Sequence, residues 1–562
     1  MNTTEIFKWF EDVKGSGGRT NFESIWKEIA TYCMPTRDTI TKQTPGAKPS
    51  SKIFDGTAIY AIGIFAAGLH SYLTSPTQKW FSLGIKTSKA RTFWRKAKAI
   101  VQKLFTGVDA DENIKLFLKN AEDEIFEVLS ESNFNLEIFE TYMDLVTLAT
   151  AILAEEEDEK DFVRFHCHPV SECHIVENER GEVDTIFRKF EFTARQADQQ
   201  WGSKAGETVS KALEAKDYTK KIEFLHVVTP RHERDPKKTD NLNKPFASYY
   251  YEVSKKHKIE EGGYEEFPFF TVRYSKTSLS QYGYSPAMQA LADIKMLNLM
   301  SRTLLSAAQK MVSPPLQAPN QGFTMPINIS AKGMNYYDLS VAQQGGKIEP
   351  LYQTNYQNIP VGREMEMDRR EMIKQAFYVD LFLLLAQRTE QKTLGEANML
   401  IEEKMMVLSP VLGRLMNELL KPIIIRTFNI LVRKGKIQVP RELQNVEYDI
   451  TYISPLAKMQ KISSIRDLDR FGAILNNIAA THPEVVDNVN PDEWLKVGSD
   501  LFNITPKLFR TKEEVKQIRD DRAEQQAKAQ QIAEAKMMAG IYKEAAQGEA
   551  ALTPKKEGGK NG

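Results

Sequence analysis

The stretch "PAMQALADIKMLNLMSRTLLSAAQKMV", residues 286–312, decides how this chain is read. Pro286 stands where the first turn of a helix tolerates a residue without an N–H, and no breaker follows until Pro314 and Pro315. At 1.5 Å rise per residue, such a rod is roughly 40 Å long. Its polar side chains Lys295, Asn298, Arg302, Ser306 and Gln309 share one narrow sector, so most of the circumference needs protein neighbours. One copy of the chain is not expected to supply them all.

Beyond the rod, "SPPLQAPNQGFTMPINISAKGMNYYDLSVAQQGGKIEPLYQTNYQNIP" (313–360) mixes short strand-like pieces with turn residues. A second rod, "VGREMEMDRREMIKQAFYV", follows. Its thin apolar stripe of Val361, Met365, Met372, Ala376 and Val379 lies among eight charged residues, which predicts one wet side. "DLFLLLAQRTEQKT" breaks this pattern before a third helix, 396–434. There Ile401, Met405, Leu408, Leu412, Leu415, Leu419, Ile423 and Ile430 keep helical spacing through Pro410 and Pro422, which should bend it. The strand "VEYDITYIS", further helices to Asn503, a charged Ala-rich helical segment from Thr511 and a disordered "LTPKKEGGKNG" complete the C-terminal part. No internal repeat is evident.

On the N-terminal side, Phe22, Ile25, Ile29 and Cys33 recur at helical spacing until Pro35. The stretch "FDGTAIYAIGIFAAGLHSYLTSPTQKWFSLGI" (54–85) carries no formal charge from Gly56 to Gln78, which raises the question of a membrane. Its apolar core, Ala58 to Leu69, is too short, since a crossing helix needs roughly 20 residues. Small residues at Ala58, Ala61, Gly63, Ala66, Ala67 and Gly68 suit close approach of another backbone, so a buried helix is expected. Residues 112–154 read as a long helical region with Ile125, Leu129, Phe134, Ile138, Tyr142, Leu145 and Leu148 on its apolar side, interrupted near Ser132 and Asn133. The acidic run "EEEDEKD" (155–161) reads as a solvated loop. "DFVRFHCHPVSECHIVENERGEVDTIFRKFEF" (161–192), with turns at Pro169 and Gly181, predicts three strands. "TARQADQQWG" predicts a short helix, and "KIEFLHVVTPR" and "ASYYYEV" predict more strands.

Composition narrows the function. The 562 residues carry 75 Lys plus Arg against 75 Asp plus Glu. A neutral chain does not grip nucleic acid over a broad surface, so any DNA contact is local or weak. The N-terminus lacks the pattern of a secretory signal, and three cysteines, Cys33, Cys167 and Cys173, suit a reducing compartment: a soluble, cytoplasmic, disulfide-free product is expected. No GxxxxGK[ST] loop occurs, since Gly346-Lys347 lacks both the earlier glycine and the following hydroxyl residue. "HCHPVSECH" brings His166, Cys167, His168, Cys173 and His174 close in sequence, but strand alternation turns Cys167 away from its neighbours. No cofactor, metal or catalytic constellation is expected, and the chain is read as a non-enzyme.

The order of several motifs resembles the podovirus head-to-tail connector, or portal, family. They are Asp55 ahead of a small-residue helix, "LTSP" at Leu73 to Pro76 with Trp80-Phe81 after it, "VDTIFRKFEFTARQADQQWG", "VVTPRHERD", "YGYSPAMQALADIKMLN", "SPP" and "ISPLAKMQ". They span roughly residues 20 to 470; the last hundred residues carry no such signal. The resemblance implies an α+β, mainly helical portal fold assembled as a twelve-fold ring around a channel for double-stranded DNA. It implies a wing over 1–284, stem helices over 285–312 and 360–380, a clip over 313–359 and a tunnel loop over 381–395. A bent wing helix and strand over 396–455, crown helices over 456–510 and a charged C-terminal segment over 511–562 follow. Expected partners are further copies of the chain, DNA, the major capsid and scaffolding proteins, the terminase motor and then tail adaptor and tail tube proteins; no membrane is involved. The expected location is the portal vertex of the virion head, reached from the host cytoplasm. Candidate contacts are Leu299 and Leu304 between subunits, Tyr336 and Tyr337 in the clip, and Arg388 and Lys392 facing DNA. The alternatives are another head-tail ring, such as a tail adaptor, and a packaging enzyme.

Overall fold

A computed structural model describes residues 2–15, 18–37, 52–85, 110–238, 240–313, 358–386, 406–440, 448–453, 462–502 and 512–552, with isolated positions at 40, 316–317, 336, 340, 343, 349–350 and 510. The described part is mainly helical, with antiparallel sheets inserted between helices. Residues 1–462 form one compact unit and 463–562 another.

In the first unit, α1 (Thr3–Gly15) and α2 (Arg19–Cys33) precede α3 (Thr57–Leu73). The helix α3 buries Ala58, Ala61, Phe65, Gly68, Leu69 and Leu73 while Tyr60 on its other side is exposed. A Cβ on Gly68 would run into the Phe382 ring, which is why a small residue stands there. No helix among the described residues is long and apolar enough to cross a membrane. Trp80 and Phe81 close the segment, and β1 (Phe81–Ile85) pairs with β12 (Tyr448–Tyr452), far away in sequence.

The apolar series from Ile125 to Leu148 is buried, on α4 (Ala110–Glu131) and α5 (Phe134–Leu148). Asn133 stands at the break, where its amide donates to the Phe165 carbonyl and accepts from the Phe165 N–H. One expectation fails just beyond. The helix stops at Leu148, Ala149 takes a left-handed φ of 67°, and Thr150–Asp158 is a strand, β2, rather than helix and solvated loop. It is the centre of a sheet ordered β3–β2–β9, with β3 at Phe162–His168 and β9 at Phe269–Arg273. Glu155 is fully buried there because Thr427 donates to it at 2.8 Å and the buried Arg426 lies alongside. Burial pushes its carboxyl up to about 8, with Arg426 pulling the other way. Those partners lie some 270 residues downstream, so the acidic run alone could not reveal that it is a strand.

The second sheet has the order β4–β5–β6–β7–β8, from β4 (Cys173–Glu177), β5 (Val183–Thr193), β6 (Lys221–Pro230), β7 (Phe246–Glu252) and β8 (His257–Tyr264). Ile6, Phe7 and Phe10 of α1 pack on Phe187, Leu225 and Tyr251. Trp201 and Val209, on α6 (Ala194–Trp201) and α7 (Glu207–Glu214), pack with Phe190 and Phe224. The short helix in "TARQADQQWG" begins with a reciprocal cap between Thr193 and Gln196.

The stretch 286–312 is one helix, α8 (Pro286–Val312), and Ser285 caps it by accepting the Met288 N–H at 3.1 Å. Inside the insert, the described strands are the antiparallel pair β10 (Leu316–Gln317) and β11 (Glu349–Pro350). The second rod is α9 (Asn358–Ala376), and Tyr378, with φ 54°, separates it from α10 (Val379–Ala386). Residues 381–386, read as the start of a loop, are thus helical: the apolar "LFLLL" finds a core to enter, with Leu381 and Phe382 buried. The long helix α11, residues 406–433, changes its hydrogen bonding next to the second of its two prolines. A π turn at Met416–Leu420 lets the Lys421 N–H reach the Met416 carbonyl just before Pro422, which has no N–H to offer Glu418. Two buried arginines hold α11 to the sheets: Arg273 donates to Glu418 at 2.9 Å, and Arg426 to Glu266 at 3.2 Å.

In the second unit, α12 (Ile462–Ala479) and α13 (Pro491–Phe502) meet through Phe471, Gly472 and Trp494, and Arg519 of α14 (Lys512–Leu552) pairs with Asp492 at 2.7 Å.

Candidate functional site

The helices α8 and α9 run against each other and form the candidate site. Ile294 and Leu297 of α8 and Ile373 of α9 are buried, and the side chain of Leu304 lies against Gly362, where a Cβ would sit only 2.8 Å from it. Polar contacts set the register. Ser301 donates to Glu366 at 2.8 Å, Arg369 pairs with Asp293 at 2.8 Å, and Arg370 bridges Glu366 and Asp55 at 3.2 and 3.0 Å. Burial raises the pKa of Asp55, but hydrogen bonds from Thr57 and Arg370 outweigh it and hold the carboxyl below its usual range.

Asn298, expected in a polar sector, is buried instead. Its side-chain oxygen accepts the N–H groups of Phe54 and Asp55 at 2.8 and 3.2 Å, and its amide donates to the Ile294 carbonyl. The entrance to α3 is thereby tied to the middle of α8. A helical wheel cannot anticipate this, since an asparagine that caps a distant backbone reads like one facing water.

Much of the pair's apolar surface stays uncovered. Met296, Leu299 and Leu305 of α8 are 47, 64 and 51% exposed, and Val361, Met365, Met367 and Met372 of α9 are 50% exposed or more. Scattered exposed apolar residues mean little, whereas rows of them along two packed helices mark a surface meant to be covered. Alongside run Glu364, Asp368 and Glu371, exposed and with no ion pair among the described residues.

The sequence-derived candidates fall unevenly on this geometry. Leu299 lies on the uncovered surface and Leu304 is half-buried at the helix crossing. Tyr336 is 72% exposed; Tyr337, Arg388 and Lys392 lie outside the described residues. An open cleft lined by Phe54, Leu304, Leu305, Ala308, Arg363 and Arg370 was not anticipated. Its one sequence signal is Gly362, a helix-interior glycine, which marks a close crossing.

The histidine and cysteine group is divided by its strands. His166 and His168 have ring centroids 6.1 Å apart, whereas Cys167 turns toward Asp144, Sγ to Oδ2 3.8 Å. Burial pushes the His174 imidazole down to about 3 and the Cys173 thiol up to about 12. Among the described residues, no group of three or more His, Cys, Asp or Glu side chains could hold a metal ion.

Comparison with known proteins yields two kinds of match. The family model for the bacteriophage head to tail connecting protein matches residues 8–509. The probable portal protein of Bordetella phage BPP-1 is 30% identical over 522 residues, 92% of this chain and 90% of that protein. The portal protein of Salmonella phage epsilon15 is 29% identical over 523 residues, again 92% of this chain and 90% of that protein.

Proposed function

The chain belongs to the bacteriophage head to tail connecting protein family, and from that membership we propose that it is the portal protein of a tailed bacteriophage. It forms a ring, of twelve copies by analogy with the family, at one vertex of the head. Double-stranded DNA enters and leaves through the ring, which docks the terminase motor during packaging and the tail proteins afterwards; around it stand the major capsid and scaffolding proteins. Its role is structural rather than catalytic, and it acts in the virion after assembling in the host cytoplasm.

In this reading, α8 and α9 are the stem, 313–359 the clip, the sheets and α11 the wing, and the second unit the crown with its C-terminal extension. The ring is supported by one observation above the others: the stem helices leave a long apolar surface uncovered that a neighbouring copy would bury. A lane of carboxylates at Glu364, Asp368 and Glu371 suits a wall that must not hold phosphates, since each neutralised phosphate adds to affinity.

Phage heads assembled without this chain are expected to contain no DNA, and restoring the wild-type chain should restore filling. Heads that fill without it would refute the function. The same packaging assay tests Arg388 and Lys392, proposed as rings of charge facing the duplex. Changing both to alanine should leave rings intact but alter filling or retention of the genome. Filling and holding at the wild-type rate and salt dependence would show that they do not grip DNA.

The clip carries a second expectation. Tyr336 and Tyr337 are proposed as anchors for the motor, because aromatic residues dominate interface energetics. Deleting 320–350 should leave the rest of the chain folded and abolish capture of terminase. Capture at the wild-type level would place the docking surface elsewhere.

A further inference from the structure

The uncovered surface of the stem is two surfaces, and they differ. At about 100° per residue, Val361, Met365 and Met372 fall along one flank of α9, and Arg363, Met367 and Lys374 along the other, roughly 160° around. The carboxylates Glu364, Asp368 and Glu371 lie between the two lanes, on the side turned away from α8. The ion pair of Arg369 with Asp293 lies at the edge of the first flank, on the side of α8 that also carries the exposed Met296. Of the second flank, Arg363 lines the cleft together with Phe54, Leu305 and Ala308.

We propose that neighbouring copies pack head to tail, with the Val361, Met365 and Met372 ridge of one copy seated in the Phe54, Leu305 and Ala308 cleft of the next. The proposal rests on the portal reading above and specifies how its subunits meet. A two-fold pair needs one self-complementary patch, whereas a ring needs two different patches facing apart, which is the arrangement here. Flexible methionines suit an irregular cleft walled by an aromatic and short apolar side chains. The charges match as well. Arg363, on the cleft wall with Glu366 and Arg370, which pair with each other, has no ion-pair partner of its own among the described residues, and the ridge of the next copy brings Asp368 along its edge. These charges set orientation and register more than affinity.

Crosslinking separates this arrangement from its rivals. Leu305→Cys and Met365→Cys place one thiol in the cleft and one on the ridge, both about half exposed in the single chain. The native Cys33 and Cys173 are buried, with thiols pushed up to about 12, and burial also raises the thiol of the partly exposed Cys167, so the wild-type chain treated alike is the control that reads any background from it. Treated with a short bis-maleimide after rings are seen by electron microscopy, the double variant should give a ladder of dimers, trimers and larger species under denaturing conditions. Each single variant should stay monomeric. A Met365→Cys variant that crosslinks to dimers alone would mean that like flanks meet, and the proposal would fall. Rings that form while the double variant and a second pair, Ala308→Cys with Met372→Cys, both stay monomeric would overturn the head-to-tail contact and leave the portal reading standing. No rings from the wild-type chain would overturn both.

Discussion

Leu299→Asp is expected to leave the chain folded and to abolish its assembly. In the single chain Leu299 is 64% exposed, so the new carboxylate meets water and the fold loses only about 0.5 kcal/mol, most of it helix propensity. In a ring the same position would be covered by the neighbour, and an unpaired charge there costs several kcal/mol at every contact. The effect repeats around the ring, so the concentration needed for assembly should rise more than a hundredfold. Leu304→Asp should behave differently. Leu304 is half-buried against Gly362, so its aspartate should destabilise the stem pair itself before assembly is reached. Thermal melting with sedimentation velocity on the same samples separates the two cases. Leu299→Asp rings at the wild-type concentration would remove this surface from the interface.

Arg273→Ala should be among the most damaging single changes to the fold, at about 3–5 kcal/mol, because it removes one partner from a buried ionic cluster. Arg273 is 3% exposed, pairs with Glu177 and Glu418, and donates to the Gln281 and Gly181 carbonyls. Its loss leaves Glu177 to Lys276 and Glu418 to Arg414, each in a mostly buried place. It also unfastens the π turn of α11 from β9. Lys295→Ala is the matched control: its pair with Glu28 is about half exposed on both sides and should matter by less than about 1 kcal/mol. Denaturant midpoints for the two variants should differ widely. Equal midpoints would mean that Lys276 and Arg414 compensate for the missing guanidinium.

What the sequence disclosed depended on how local the cause was. Periodicity and caps placed α2, α5, α6 and α8, because side chains three and four apart and the Thr193 cap act within a turn or two. Pro422 marked the place where the hydrogen bonding of α11 becomes irregular for the same reason. The strand at 150–158 stayed hidden because Glu155 is acceptable inside only through Arg426 and Thr427. The β1–β12 pairing was invisible, as its two strands stand at opposite ends of the first unit's sequence and no local pattern links them. At the candidate site, the unpartnered character of residues 286–312 was legible from composition. The division into a ridge and a cleft was not, since it depends on Phe54 and Asp55 being fastened to Asn298.

The central claim is that this chain becomes functional only as a ring, and negative-stain electron microscopy of the purified full-length protein tests it most directly. The account predicts closed rings with a central hole wide enough for duplex DNA, of uniform subunit number, formed without detergent. A preparation that stays monomeric or dimeric at every concentration examined, while remaining folded, would contradict it.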